Sequence, residues 1–591
     1  MSITTAATAS AATLSPSSTP FDVREIPFSA RGSWMNLSPV VALHTTAPDI
    51  HLVSHQTGMH AVLSIVPERA GVPVETEVSA TPARLRWTTG PVGDDSIEAA
   101  FAGLDTVRLR GTGLGVRLGD AAAGLTPFTG TYLFVDPMDR SAIFTSYETG
   151  RRYRVTSLSG DVAVIGAELL GAGERAVVLG ADGEPWEVAI EEFETARPPY
   201  ASVVAFDGIA ADTAARFDEY VDAVAPWRSA RTPAAALAAY VLWSATVSPR
   251  GFLGRESVLM SKHWMDKVWS WDHSFNALAL APGLPGAAMD QFVGVFDHRD
   301  ESGAAPDSTT HSEILYNFVK PPIHGWAFAK LRNRIETPLD GATLHQVADI
   351  LARWSRFWLH ARTAPGRRLP HYQHGNDSGW DNSTTFDADR VIESPELAAF
   401  LVVQLDVLAG LSDELETGEG DRWRTAAEEI RTALLEDLWD GRNFIAVAPL
   451  TGRSSSTTSL LNLLVIAAGD RLPRDIATRV AASIEEHLTE FGPATELTTS
   501  PEYESDGYWR GPIWAPSTVL VEDGLRRAGF ANLADTISER FRGLCERSGF
   551  AENFDALTGE GLRDRAYTWT ASSYLLLAGE AETRRREASI D

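Results

Sequence analysis

The spacing of apolar residues changes once along this chain, near residue 205, and that change restricts the fold more than any other feature. From about residue 21 to 204, short runs rich in Val, Thr, Tyr and Phe are separated by Gly, Asp and Pro. Thr131–Val135 leads into the Asp136-Pro137 turn, then Ala142–Tyr147 and Arg152–Ser157. Ala176–Leu179 and Trp186–Ile190 flank Asp182-Gly183, a pattern that predicts a hairpin. Many short strands at this spacing predict an N-terminal antiparallel β-sandwich. Beyond residue 205 the period becomes helical. Phe217, Tyr220, Val221 and Val224 mark a linker helix, and Val347, Leu351, Trp354 and Trp358 mark a later one. Ser394-Pro395-Glu396 opens another with an N-cap serine and a first-turn proline, and Leu397, Leu401, Leu405 and Leu408 form its buried stripe.

Similar segments lie near 235–248, 270–281, 311–331, 421–438, 457–468, 472–489, 514–528, 531–547 and 567–578. They bring the helices after the linker to about eleven. A number close to twelve, with alternating short and long loops, suits an all-α (α/α)6 barrel whose functional groups sit on the long loops at one end. At 591 residues the chain exceeds one core, so two domains are expected. The expected organisation is a disordered tail over 1–20, a β-sandwich domain over 21–204, a linker helix over 205–232, the catalytic barrel over 233–580 and a polar tail over 581–591.

A net charge of −28 argues against nucleic acid or an anionic membrane as partner, because phosphate binding needs clustered Lys and Arg. No apolar run approaches the roughly 18 residues that span a bilayer. Residues 1–20 lack the basic and apolar regions of a signal peptide, so a cytoplasmic protein is expected. The lone Cys545 excludes an intramolecular disulfide and a multi-cysteine metal site. No cofactor and no metal are expected, and homo-oligomerisation is left open.

Four segments set acids in frames of tryptophan and glycine. Trp269-Ser270-Trp271-Asp272-His273 puts an acid at a helix start, where it could hold sugar hydroxyls or simply favour the dipole. His374 to Ser383 carries Asp377 and Asp381 in a small polar loop with Gly379 and Trp380, a pattern that Asx-turns also use. Tyr508-Trp509-Arg510-Gly511-Pro512-Ile513-Trp514 sets an arginine among aromatics, able to fix an anion or a hydroxyl or to make a cation–π contact. Glu552 to Thr570 holds Glu552 ahead of a tight turn at Asp555–Gly559, with Trp569 beyond; alone, such a glutamate reads as solvated surface. Two acids among aromatic rings are what glycosidic cleavage needs: one donates a proton to the leaving oxygen, the other activates water or attacks the sugar carbon.

In this order the four segments resemble the glycoside hydrolase family 63 lineage over about residues 235–580. The bacterial mannosylglycerate and glucosylglycerate hydrolases are most similar, with trehalases and processing α-glucosidases further away. The resemblance implies an exo-acting, inverting α-glycosidase on a small carbohydrate, with Asp381 as general acid and Glu552 as general base. It implies that Asp272 holds the non-reducing sugar and that Trp271, Trp380, Arg510 and Trp514 line the −1 subsite; Trp269, His273, His324, Gly379, Tyr508, Trp509 and Trp569 complete the candidate lining. Inversion predicts carboxyls roughly 6.5–9.5 Å apart.

Departures from the pattern bear on substrate rather than reaction. Lys320 stands before Pro321-Pro322 where relatives often have glutamine, and could pair with a substrate carboxylate or lie on the surface. Asp377 stands where relatives often have glutamate, and Thr384-Thr385-Phe386-Asp387 replaces a proline-containing run. Asp377 is a rival acid, and Glu504 and Asp506 are rival bases. Two other readings compete. An (α/α)6-barrel epimerase or lyase would use His or Tyr, drawing on His273, His311, His324, His371 and His374. A non-catalytic carbohydrate-binding protein would need no acid/base pair.

Overall fold

A computed structural model describes residues 15–90, 95–122, 130–171, 173–455 and 457–589. The N-terminal part is a sandwich of two antiparallel sheets. One runs, in spatial order, Met35–Ala42, Thr45–Ser54, His60–Arg69, Gly115–Asp120, Ala176–Leu179 and Val162–Ile165, with Val72–Pro73 paired beside His60–Arg69. The other runs Thr131–Val135, Ala142–Ser146, Arg152–Ser159, Trp186–Phe193, Thr106–Thr112, Ser96–Gly103, Arg84–Thr88 and Glu77–Thr81. Alternate residues face the shared core: Ile50 and Leu52, Leu63 and Ile65, and Val116 and Leu118 from the first sheet meet Ile97 and Ala99, Val107 and Leu109, and Val188 and Ile190 from the second.

The hairpin expected at Asp182-Gly183 is a crossover instead. Ala176–Leu179 pairs with Gly115–Asp120 in one sheet, whereas Trp186–Phe193 pairs with Thr106–Thr112 in the other. The cause is the buried Trp186 indole, whose Nε1 donates to the Leu114 carbonyl at 2.7 Å. It packs on Gly180, which has φ +62°; a Cβ there would come within 2.1 Å of the ring. Glycine both admits the indole and permits the left-handed turn that carries the chain across the sandwich.

The linker helix, Phe206–Val224, joins the two parts through different turns. Phe206, Ile209 and Ala210 pack on Ala100 of the sandwich, while Phe217, Tyr220, Val221 and Val224 enter the helical core. Six inner helices then form a closed ring: His273–Leu280, His324–Arg334, Pro395–Glu414, Leu460–Arg471, Ala515–Arg527 and Thr568–Ala588, each against the next and the last against the first. Ala235–Ala245, Pro285–Gly294, Gly341–Arg356, Gly420–Asp437, Arg474–Glu486 and Ala531–Ser548 lie outside them, completing the (α/α)6 arrangement. Among these, Pro285–Gly294 escaped the sequence reading because its buried stripe is only Ala288, Gln291, Phe292 and Val293. The expected segment 311–331 is a helix only from His324, since Pro321-Pro322 and the strand Ile314–Leu315 occupy its first half.

Two expectations about the ends change. Within the expected tail, Pro16–Ser18 form a helical turn held by Asp218, which accepts from the Ser15 and Ser17 hydroxyls and the Ser17 N–H; residues 1–14 lie outside the described residues. The last helix continues to Ala588, tied by the Arg231–Glu582 pair, and residues 590–591 lie outside the described residues. Pro395–Glu414 is long and apolar enough to cross a bilayer, yet it is an inner helix packed between its neighbours. Replacing Trp186 by Ala should destabilise the sandwich by about 3–5 kcal/mol in urea unfolding. A loss below about 1 kcal/mol would show that the indole does not hold the crossover.

Candidate active site

Connections from an inner helix to the next outer one are short: 281–284, 335–340, 415–419, 472–473 and 528–530. Those from an outer helix to the next inner one are long: 246–272, 295–323, 357–394, 438–459, 487–514 and 549–567. Because successive helices run antiparallel, all the long connections emerge at one end of the ring, where every inner helix has its N-terminus. The four tryptophan-framed segments fall on these connections.

A run of aromatic contacts joins them. Trp380 stacks on Trp509 at 4.5 Å between ring centroids, and Trp509 on Trp514 at 3.9 Å with the planes 6° apart. Trp514 meets Trp569 edge-on at 5.4 Å, and Trp569 meets Trp271 edge-on at 5.8 Å. Gly379, at φ +73°, closes the run: a Cβ there would sit 2.5 Å from the Trp271 ring. Each aromatic pair contributes roughly 0.5–1.5 kcal/mol beyond its buried area.

The polar residues around Asp381 fix its loop. Asn382 donates to the Gly507 carbonyl at 3.0 Å and accepts from the Trp509 N–H at 3.0 Å. Ser383 bonds Ser459, and Thr384 donates to the buried Glu496. Arg510 donates to the Asn382 carbonyl at 2.8 Å and pairs with Asp387, so it braces this loop from behind. Asp377 is likewise structural: its carboxylate accepts from Arg362 at 2.8 Å, the Gln373 N–H at 2.8 Å and the Val319 N–H at 3.1 Å. Asp381 accepts from its own N–H and from no other described residue, which separates it from its rival four positions earlier.

Glu552 lies on a short hairpin, Asn553–Phe554 against Gly561–Leu562, and its N–H donates to the Asp564 carbonyl at 2.7 Å. The Arg563 charge and the Tyr508 hydroxyl both favour its anion, and the Arg563 guanidinium sits 4.9 Å from the centre of the Tyr508 ring. Tyr508 and Arg563 both hold left-handed backbone, φ +63° and φ +61°, a conformation that non-glycine residues adopt where their surroundings enforce it. Of the rival bases, Glu504 and Asp506 are exposed, and Asp506 pairs with Arg563 at 2.7 Å.

Asp272 precedes the helix His273–Leu280 without capping it, and its buried Oδ2 has no hydrogen-bond partner among the described residues. Lys320 is buried beside it. Its ammonium lies 3.0 Å from Asp307 and donates to the Asn376 carbonyl at 2.7 Å. The contact with Asp307 is an ion pair, since that Asp307 Oδ1 has no hydrogen-bond partner among the described residues. Burial pushes Asp272 up to about 8, with Lys320 opposing. Burial also raises Asp381, with Lys320 and His374 opposing and Asp307 adding to the rise. Burial and then the Asp564 charge push Glu552 up to about 8, against Arg563 and the Tyr508 hydroxyl, with Asp381 adding. These mutual influences put Asp272, Asp307, Lys320, Asp381 and Glu552 in one electrostatic neighbourhood. Among the described residues, no group of three His, Cys, Asp or Glu is placed to hold a metal ion.

The histidines do not converge on it. The two ring nitrogens of His273 face the Trp269 and Val258 carbonyls, and burial pushes it down to about 4. His324 bonds the Ser270 carbonyl at 2.8 Å and packs among Phe292, Phe296 and Trp354. His311 packs on Trp34, and His374 stacks on Phe318 and accepts from the Asn376 N–H. Trp269 sits half-buried on a small strand against Ser308–Thr309. Arg563 and Asp564 carry no motif signature of their own and were not anticipated from the sequence; Tyr567 opens the Tyr567-Thr568-Trp569-Thr570 stretch and Asp307 ends the loop 300–307, but neither was expected at the site. A groove of about 1140 Å³ lies elsewhere, between Gly341–Arg356 and Gly420–Asp437. Its arginines 356, 368, 422 and 424 are all paired with acids.

The barrel and its acid-bearing loops define a glycoside hydrolase. A family model for the mannosylglycerate hydrolase MGH1-like glycoside hydrolase domain matches residues 265–570, and the chain belongs to that family. It is 26% identical over 403 residues to the mannosylglycerate hydrolase of Rubrobacter radiotolerans, covering 52% of this chain and 89% of that one. The crystal structure of a family 63 mannosylglycerate hydrolase from Thermus thermophilus with glucose matches at a TM-score of 0.51 and 21% identity, over 58% of this chain and 99% of that one. A bacterial glucoamylase solved with acarbose matches in fold at a TM-score of 0.63 and 11% identity, over 95% of this chain and 94% of that one.

Two outcomes follow for this site. Gly379→Ala should lower kcat/KM roughly 100-fold with the circular dichroism spectrum unchanged, because the added carbon displaces Trp271 and the Asp381 loop. Unchanged kcat/KM would remove that contact from the site's geometry. Asp272, Glu552 and the buried Glu396 all sit at about 8 when folded, above ordinary carboxyl values. These three carboxyls therefore bind more protons folded than unfolded between those values and lower Tm as pH rises from about 5 to about 8. The buried His273, His324 and His487, held at about 4, act in the opposite sense up to about 6.5. The difference in Tm between the parent and Glu552→Gln isolates one carboxyl and should fall as pH rises through that window; a difference that does not change with pH would contradict the raised Glu552.

Proposed function

We propose that this protein is an inverting, exo-acting α-glycosidase that hydrolyses a small α-glycoside, with Asp381 as general acid and Glu552 as general base. The observation that carries the reading is that half-buried Asp381 and buried Glu552, both raised by desolvation, lie on connections joined by one run of tryptophans. Water exclusion by Trp271, Trp380, Trp514 and Trp569 favours a protonated acid and gives a pyranose flat faces to stack on. Burial raises Asp381 against Lys320, His374 and its own N–H, and a raised carboxyl suits a proton donor. Glu552 has the Tyr508 hydroxyl and the Arg563 charge beside it, which suits a group that must work ionised on water. The unpartnered Oδ2 of Asp272 suits a sugar hydroxyl. The name of the Rubrobacter relative makes mannosylglycerate the first substrate to try.

One observation favours the reverse assignment: Glu552 at about 8 would itself remain protonated near neutral pH. α-Glycosyl fluorides separate the two, because fluoride leaves without a proton. Asp381→Asn should retain much of its activity on the fluoride and lose roughly 100-fold or more on mannosylglycerate or another natural glycoside, whereas Glu552→Gln should lose both. The opposite pattern would exchange the roles. A panel of mannosylglycerate, glucosylglycerate and neutral α-glucosides and α-mannosides, followed by proton NMR, should release the β-anomer first. First release of the α-anomer would end the inverting mechanism, and no turnover of any α-glycoside would end the reading. In the pH profile, Asp381 must be protonated and Glu552 ionised. Activity should then fall as pH rises through the acid's pKa and as pH drops through the base's.

A further inference from the structure

A polar chain runs from the β-sandwich to the back of Glu552. On the sandwich, Asn36 Nδ2 lies 2.8 Å from His55 Nε2 and donates to the Lys262 carbonyl at 3.0 Å. His55 Nδ1 is 3.0 Å from the Asp266 carboxylate, and the buried Lys262 ammonium donates to the Ser29 hydroxyl at 2.9 Å and to the Ser33 carbonyl. The barrel loop Ser261–Lys267 is therefore clamped to the sandwich by its own backbone and side chains. On its other side, the Ser261 hydroxyl donates to Asp564 Oδ2, and His263 Nδ1 lies 3.1 Å from Asp564 Oδ1, which also accepts the Ala566 N–H. Asp564 is the residue whose carbonyl takes the Glu552 N–H.

We propose that Asp564 is a positioning residue for the base and that the sandwich holds it in place through Ser261–Lys267, which makes the N-terminal domain part of the catalytic apparatus. The inference rests on reading Glu552 as the base. Buried carboxylates without donors are costly, so three donors to one carboxylate fix Asp564 both in place and in charge. Burial opposes its ionisation, but His263, Ser261 and the Ala566 N–H outweigh that and hold it below the ordinary value. It is thus a fixed negative charge behind Glu552. The other groups facing Glu552 are Arg563, Tyr508, Tyr567 and Asp381. Arg563 and the Tyr508 hydroxyl favour its anion, and the carboxylates disfavour it. The sandwich would then tune the base from outside the ring.

The test is the titration of Glu552 by carbon-13 NMR on full-length chain labelled at the glutamate carboxyls, the signal being assigned by its loss in Glu552→Gln. Asp564→Asn should lower the midpoint by roughly one pH unit, the effect of removing one nearby like charge at an effective dielectric of about 20. His55→Ala, on the sandwich, should lower it by roughly 0.3 unit or more, because a freed loop admits water behind Glu552. Ser261→Ala removes a single donor and serves if Asp564→Asn does not fold; it should move the midpoint in the same direction. An unmoved midpoint in Asp564→Asn, or in Ser261→Ala where that stands in, overturns the role of Asp564. An unmoved midpoint in His55→Ala overturns the role of the sandwich. If Glu552→Gln hydrolyses substrate at the parent rate, the assignment of the base fails instead, whatever the titration shows.

Discussion

The architecture depends on one packing constraint: six buried helices must close a ring while each is shielded from water by an outer partner. Antiparallel pairing satisfies this with turns as short as 472–473 on one side, and leaves the return connections, up to the length of 357–394, on the other. Backbone that leaves a helix needs polar partners, and these long connections find them in one another. Asn382 bridges two of them, Glu496 ties a third, and the small hairpin around Glu552 is itself such a connection. A cluster of loops knitted in this way is rigid enough to hold reactive side chains and irregular enough to aim them.

Within that cluster, aromatic packing and charge work together. The stacked Trp380, Trp509 and Trp514 remove water from carboxyls that would otherwise ionise at ordinary values. Lys320 supplies the opposing charge, paired with Asp307 and bonded to the Asn376 carbonyl. The site is therefore poised, with several acids close to the point where protons exchange near neutral pH. Left-handed backbone at Tyr508 and Arg563 places strain on both sides of Glu552, a cost that the surrounding structure offsets.

Composition and periodicity made the two architectures legible: period-two runs before residue 205, helical stripes after it. They failed where a partner outside the local window decides. Trp186 fills the space between sheets and turns an expected hairpin into a crossover. Pro285–Gly294 has too thin an apolar face to be seen. Asp377 and Arg510 looked like site residues because their neighbours were, yet their bonds go to Arg362 and backbone amides, and to the Asn382 carbonyl and Asp387.

What the sequence determined by itself is the kind of chemistry on offer: acids set among indoles, in an order shared with a hydrolase lineage, and a fold class carried by its two periods. The tertiary structure alone decided which acids are free and which are already bonded. It also revealed that Asp564 and the loop Ser261–Lys267 connect a distant sandwich to Glu552. The physical reason is that burial and hydrogen-bond satisfaction belong to the three-dimensional neighbourhood of an atom. Residues 263 and 564 share that neighbourhood though some three hundred positions separate them in the chain.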